Sequence, residues 1–268
     1  MRYQEYKPPI KLAPWIKLFW VFESRSNESA PETLVTDGFP ELIIHFRSPF
    51  AEVDCDGQLL KQPAAVACGQ LTNPLVLHRS TDAGMIGIRF QPGGMAPFLT
   101  TPMQLLTDAR VPAEELFDHI DPFIEEIVES SNDAQRIAAC HRFLIRSIDP
   151  VRETASVRRA LQSIMHTRGS ISVESLAALA GTSRRSLELA FQREIGTSPK
   201  MYCRIIRFRT LVDAVADDRA SVNWARVALD CGFFDQSHMI RDFHQFTGES
   251  PTAFLAEQTS FAQAVNKV

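Results

Sequence analysis

Residues 191–199 read FQREIGTSP, and residues 243–251 read FHQFTGESP. Each stretch places a Gly five residues after a Phe and a Ser-Pro pair just past the Gly, at an offset of 52 residues. Gly after an apolar-periodic run stops a helix, Ser caps the next helix, and Pro suits its first position. Each stretch therefore reads as the end of one helix and the start of another, and the chain writes that junction twice.

The repeat extends upstream. Ala177, Ser183, Leu187 and Phe191 in the first copy correspond to Ala228, Asp235, Met239 and Phe243 in the second, which carries one extra residue in its turn around Cys231-Gly232-Phe233. In the first copy Ser172 is placed to cap a short helix that Gly181 breaks. Ser183 then caps a second helix with Leu187, Ala190, Phe191 and Ile195 on one face. Two short helices joined by a tight turn containing Gly form a helix-turn-helix. The expected units lie at about residues 172–196 and 222–248. Between them, SPKMYCRIIRFRTLVDAVADD runs about 20 residues without a breaker, a rod of about 30 Å over roughly 198–217. Successive major grooves on one face of DNA lie about 34 Å apart, so one chain with such a rod is expected to hold two recognition helices in adjacent grooves.

These residues also carry a resemblance. ALAGTSRRSLELAFQREIGTSP and ALDCGFFDQSHMIRDFHQFTGESP resemble the paired helix-turn-helix units of AraC/XylS transcription regulators, over about residues 155–258. The most specific part is GF-x-DQSHM-x-RDF-x-x-x-TG-x-SP; the first copy is looser. Trp224 departs from the pattern, where a smaller aliphatic is more ordinary, and is expected to repack the core beside the second unit. LVTDGFPELIIHF and GIRFQPGGMAPFL are similar to an N-terminal family found on such regulators, one whose ligand is not generally established. The resemblance implies a DNA-binding regulator, activator or repressor, with double-stranded DNA as partner and no cofactor. RNA polymerase, a small-molecule effector and a second copy of the chain are the further partners it suggests.

Alignment on Phe191 and Phe243 puts Leu187 and Met239 inside. Arg184, Arg185 and Glu188 are then exposed on the first recognition helix, and Gln236, Ser237, His238 and Arg241 on the second. The N-terminal residues of such a helix face base edges. Arg forks onto guanine, Gln onto adenine, and Glu accepts from cytosine N4. The resemblance points to the same positions, with Arg185 and His238 foremost. Ser183, Arg193, Arg204 and Arg207 are candidates for phosphate contact, as is Arg241. Leu189 stands where the other copy has Arg241, so the two boxes are expected to be read by different chemistry. At least one of Arg204, Arg207 and Arg209 is expected to form an internal ion pair.

The rest of the chain bounds this reading. Its 268 residues suit two domains, expected as 1–150 and 151–268 with a linker at Asp149-Pro150 and the charged residues after it. Net charge is −4, yet residues 1–151 hold 13 Lys+Arg against 20 Asp+Glu, while residues 152–256 hold 14 against 11, all but one of the 14 being Arg. An acidic half beside an Arg-rich half fits one domain that faces DNA and one that does not. The first half alternates short apolar runs (15–24, 41–46, 64–69, 75–80, 85–90) with turn residues. This predicts an antiparallel sheet or small cupin-like barrel. From about 95 the period turns helical, ending in an antiparallel pair over 117–131 and 132–148. The later helix carries Ile137, Cys140, His141, Leu144 and Ile148 on one face.

That N-terminal half is expected to act as a sensor or as an interaction and dimerisation module. The residues leave both readings open, and a pocket or an exposed apolar helix stripe would separate them. An enzyme is not expected. His45 and His78 lie on separate strands without an H-x-H partner, so no metal site is read. No nucleophile elbow, Walker loop or dinucleotide fingerprint occurs. Pro92-Gly93-Gly94 reads as a tight turn. Cys55, Cys68, Cys140, Cys203 and Cys231 form no C-x-x-C and read as reduced core residues of a cytoplasmic protein. The N-terminus lacks a signal-peptide pattern, and no apolar run is long enough to span a membrane.

Overall fold

The computed structural model describes residues 1–26, 31–53, 57–149, 154–215 and 222–257. Four features read from the sequence fall outside them: the linker at 150–153, Cys55, Asp56 of the turn at 56–57, and the end of the rod from Ala216 onward. The chain divides into two compact units. One comprises Met1–Glu32, Phe39–Gly69 and Val76–Glu153; the other comprises Thr33–Gly38, Gln70–Leu75 and Thr154–Val268.

The strands are β1 (Arg2–Tyr6), β2 (Ile16–Arg25), β3 (Pro31–Leu34), β4 (Glu41–His45), β5 (Ala51–Val53), β6 (Leu59–Lys61), β7 (Ala65–Cys68), β8 (Leu75–His78), β9 (Asp82–Phe90) and β10 (Arg110–Pro112). They form a six-stranded sheet in the order β1-β2-β9-β4-β7-β10 and a smaller sheet in the order β3-β8-β5-β6. Among the described residues these are two open sheets, so the antiparallel-sheet expectation holds and the closed-barrel one does not. The central strands β2 and β9 are long and buried on both faces, and Phe19, Val21, Ile86 and Ile88 are fully enclosed. Strand β1 is polar because it is an edge. Its Arg2 bonds Glu23 across the pair at 3.0 Å and Asp133 at 2.8 Å, and charges of this kind discourage further strand addition.

Gly87 pairs with Trp20 across β2 and β9, and a Cβ there would lie 2.0 Å from Trp20 Cε2. The indole lies across the bare backbone and donates Nε1–H to Glu41 Oε1 at 3.0 Å. The same carboxylate oxygen receives Arg89 Nε at 2.6 Å, a buried ion pair that ties β4 to β9.

A second buried polar chain starts at His45. Its Nε2–H faces Gln62 Oε1 at 3.2 Å, Gln62 Nε2 donates to Glu52 Oε1 at 2.7 Å, and Glu52 Oε2 accepts from Arg110 Nε at 2.8 Å. Burial is the main cause that lowers the His45 pKa to about 4, with the Gln62 hydrogen bond opposing it. A depressed folded pKa contributes stability that is full above the unfolded value of about 6.5 and is lost as pH falls through the window to about 4. The expected loss is about 3 kcal/mol by pH 4. Urea unfolding from pH 7 to 4 should therefore fall more steeply for the natural protein than for His45→Asn. Parallel slopes would show that His45 is not the titrating group.

After β9 the chain does not enter an α-helix at 95, contrary to the periodicity. Short 3-10 turns at Ala96–Phe98, Met103–Leu106 and Ala113–Glu115 alternate with extended residues. Pro97, Pro102 and Pro112 recur through the stretch, and proline withholds the amide that an α-helix interior needs. Regular helix begins at α1 (Asp121–Glu129), with Pro122 in its first turn, and continues as α2 (Asp133–Ser147). Asn132 caps α2 by accepting the Gln135 amide at 3.0 Å. Ile137, Cys140 and Leu144 are buried as the period requires, while His141 and Ile148 are half-buried.

The second unit is helical: α3 (Ala155–His166), α4 (Val173–Ala180), α5 (Arg184–Glu194), α6 (Pro199–Val215), α7 (Trp224–Asp230), α8 (Gln236–Thr247) and α9 (Pro251–Glu257). Two cores lie within it. The first gathers Leu176, Leu187 and Phe191; the second gathers Ala228, Met239, Phe243 and Phe246. Helix α6 serves both, giving Tyr202, Cys203 and Ile206 to one core and Ile205, Phe208 and Leu211 to the other. That is why Ile205 and Ile206 stand side by side in sequence yet are both buried. Val35, from the segment Thr33–Gly38 that groups with this unit, joins the second core. Trp224 packs on it too, with its ring 6.3 Å from Phe243.

Candidate nucleic-acid interface

Both helix-turn-helix copies form as their caps dictate. Ser172 Oγ accepts the Ser175 amide at 3.0 Å and starts α4, which ends at Gly181 with φ 67°. Ser183 Oγ accepts the Ser186 amide at 3.1 Å and starts α5. In the second copy Asp235 accepts the His238 amide at 2.6 Å, and α8 ends at Gly248 with φ 77°. Ser198 and Ser250 cap the helices that begin at Pro199 and Pro251. Leu187, Phe191, Met239 and Phe243 are fully buried. Burying that face turns the first residues of α5 and α8 outward.

The sequence-derived candidates occupy different surroundings. Arg185, Gln236, Ser237 and Arg241 are exposed. Arg184 is also exposed, but its guanidinium bonds Glu188 at 2.9 Å and Glu174 at 2.6 Å. The Glu188 hydrogen bond, then the Glu174 charge, raises the Arg184 pKa, while Glu174 is lowered first by its own backbone amide and then by Arg184. Exposed pairs of this kind are weak and salt-screened, so an incoming phosphate or base can take either partner. His238 is more confined than the other candidates. Its ring packs edge-on at 5.5 Å from Phe233, and its Nε2 lies 3.9 Å from Asp242 Oδ2.

Of the phosphate candidates, Ser183 is engaged as the α5 cap. Arg193 is exposed and bonds Thr154 Oγ1 at 3.0 Å and Glu194 at 2.7 Å. Of the three α6 arginines, at least one of which was expected to pair internally, Arg204 reaches Asp242 Oδ1 at 2.7 Å and Gln245 Oε1 at 2.6 Å, and Arg209 lies 3.9 Å from Asp213. Arg207 stacks over Phe233, and burial lowers its pKa. The cysteines beside them stay protonated: burial pushes Cys203 up to about 11 and raises Cys231.

These side chains converge. A cleft of about 830 Å³ is lined by Arg184 from α5, by Lys200, Arg204 and Arg207 from α6, and by Arg241 and His238 from α8. Its acidic lining is limited to Glu174 and Asp242. Lys200, Arg204 and Arg207 follow the i, i+4, i+7 spacing of one helix face. Lys200 escaped the sequence reading although that spacing was there to be used. Phe234 escaped it as well: it is 86% exposed beside the α8 cap, an apolar ring on the outward side of the turn. Extending the repeat alignment one residue upstream of Asp235 would have found it.

Two capped helices, held by a shared α6 and flanking a cationic cleft, define a paired helix-turn-helix unit. Residues 176–257 match a family model described as a helix-turn-helix domain, and residues 4–112 match one described as a domain of unknown function, DUF6597. The second unit is an AraC/XylS-type helix-turn-helix domain. The XylDLEGF operon transcriptional activator 3 of Pseudomonas putida is 35% identical over 102 residues, which is 37% of this chain and 31% of that protein. The HTH-type transcriptional regulator GbdR of Pseudomonas aeruginosa is 29% identical over 163 residues, covering 59% of this chain and 41% of GbdR. The chain thus spans about a third of the length of the first of these relatives. Among solved structures, ToxT from Vibrio cholerae aligns with a TM-score of 0.52 at 10% identity, over 90% of this chain and 99% of that one, a likeness of fold. No helix of the described residues is long and apolar enough to cross a membrane.

Proposed function

We propose that this chain is a cytoplasmic, sequence-specific DNA-binding transcription regulator that lays α5 and α8 into two adjacent major grooves of one duplex. Arg184 and Arg185 fork onto guanine, Glu188 accepts from cytosine, and Gln236 pairs with adenine, with Ser237, His238 and Arg241 completing the second box. Phe234 suits a thymine methyl. Arg193, Lys200 and the exposed edges of Arg204 and Arg207 meet the phosphates, while the Ser183 cap presents the α5 N-terminus to one. The observation that carries this reading is the cationic cleft flanked by two helices whose polar first turns face outward. The names of the P. putida relatives favour activation, hence RNA polymerase as a further partner. The first unit controls the second, by ligand or by pairing.

Selection of bound duplexes from a random 40-base-pair pool tests this, the probe length being about four helical turns. Two unlike boxes centred about 10–11 base pairs apart are expected. Salt-sensitive binding with no enriched sequence would sink the base-reading assignment.

A second reading makes the first unit a dimerisation module without a small-molecule ligand. Val128 on α1 and Ile145 on α2, 49% and 54% exposed, favour it. Sedimentation across a hundredfold range of concentration, about 2.7 kcal/mol in association free energy, decides: a persistent monomer removes it.

A further inference from the structure

We infer that the first unit carries a binding site for a small organic cation with an apolar body, in a groove walled by α1, α2 and the turns at 98–100 and 114–119. The groove is half open to solvent, measures about 670 Å³, and has a lining somewhat more polar than apolar. Ligand pockets span about 300–1,000 Å³ and pair an apolar lining with a few polar groups. The floor is aromatic. Phe123 and Phe143 stack with centroids 4.3 Å apart at 4°, and Phe117 tilts onto Phe143 at 5.6 Å. Phe143 comes from α2, Phe123 from α1 and Phe117 from the turn before it, so the floor exists only when the three segments are folded together.

The rim selects the charge of the occupant. Glu114, Glu115, Asp118, Glu126 and Asp149 line the groove against Arg142 and Arg146. Glu126 holds Arg142 in an ion pair. The carboxylates therefore outnumber the guanidiniums, and Glu114, Glu115 and Asp118 cluster on the turn that forms one lip. A concave wall carrying one sign of charge concentrates counter-ions. Phe123 and Phe143 cover each other's inner faces and Phe117 and Phe123 are buried, so the partly exposed Phe143 is the ring that offers contact to a methyl or aryl body. A carboxylate ligand would meet Glu114, Glu115 and Asp118 on the lip, with Arg146 as the guanidinium that no ion pair holds among the described residues. An alkyl or aryl ammonium meets complementary groups on floor and lip alike.

The groove also reaches the end of the unit. Asp149 lines it, and the Asp149 amide donates to the Pro97 carbonyl at 2.9 Å, next to Phe98 on the floor. The covalent chain continues from there to α3. That occupancy bears on DNA binding rests on the proposed function above; occupancy itself does not, so the two fail separately.

The test uses the purified full chain and three probes that share one ring: benzyltrimethylammonium, benzyl alcohol and benzoate, titrated by ligand-observed NMR and calorimetry. Benzyltrimethylammonium is expected to saturate a single site and to bind about tenfold or more tightly than either of the others, the selectivity of a part-buried charge contact. The double substitution Glu115→Gln with Asp118→Asn removes exposed carboxylates, so the fold should keep its melting temperature while affinity for the cation falls about tenfold. Arg146→Gln should tighten it. Three outcomes would overturn the proposal: benzoate binding as well as or better than the cation, no saturable binding of the cation, or cation binding that neither variant alters.

Discussion

Arg185→Ala is expected to weaken binding to the selected operator by about 1–3 kcal/mol, roughly five- to 150-fold, and to relax base preference in one box only. The argument starts from position. Ser183 caps α5, so Arg185 sits in the first turn of the helix, where side chains of a helix-turn-helix reach base edges. Leu187 and Phe191 are buried to the last atom and fix the rotation of α5 about its axis. Arg184, its neighbour, must first leave Glu174 and Glu188. Arg185 is exposed and its fork can meet guanine O6 and N7 together. Binding measured on the operator and on duplexes substituted in each box separates the roles. Loss confined to one box marks base reading. An equal loss on every sequence, with the salt slope reduced by about one, makes Arg185 a phosphate contact instead.

The second unit was legible because its signals are local. Ser183 and Asp235 act on amides three residues away, Gly181 and Gly248 stop their helices in place, and Ser-Pro restarts the chain at 199 and 251. The buried strands β2, β4 and β9 announced themselves by apolar runs. Strands β1, β5 and β6 did not, since RYQEY, AEV and LLK are edge or short segments whose stability comes from the strand beside them. The stretch after 95 misled because its apolar spacing suits a helix while its recurrent prolines do not permit one. The groove of the first unit was invisible for a different reason. Phe117, Phe123 and Phe143 are separated by a turn and a helix, and only the α1–α2 packing brings them together. Likewise the sequence suggested that some arginine of α6 would pair internally. It could not say that the partner of Arg204 lies 38 residues on, in α8.

That partner carries the other large effect. Asp242→Ala is expected to destabilise the second unit by about 3–5 kcal/mol, the usual result of stripping one member from a buried ion pair. The Asp242 side chain is 4% exposed, and its Oδ1 receives both Nε and Nη2 of Arg204 at 3.1 and 2.7 Å. Arg204 cannot swing out freely, since its guanidinium lies 5.3 Å from the Phe246 ring centre and bonds Gln245. Removing the carboxylate leaves that cation partly desolvated, with Arg207 and His238 as neighbours of its own sign or neutral. The pair also joins α6 to α8, so it sets how the second recognition helix stands on the rod that carries the first. Urea unfolding should give the stability loss, and the same variant should lose its preference for two correctly spaced boxes over one. Replacing both partners, Asp242→Leu with Arg204→Met, should restore much of the stability, because the penalty lies in the unpaired charge and not in the missing pair. It should leave the spacing preference impaired, because the polar link that orients α8 on α6 is still missing, and it should weaken binding about equally on every sequence, because the rod face lacks one of its cations. An Asp242→Ala protein within about 1 kcal/mol of the natural one would mean that water reaches Arg204 readily and that the spacing of α5 and α8 is held by the two apolar cores alone.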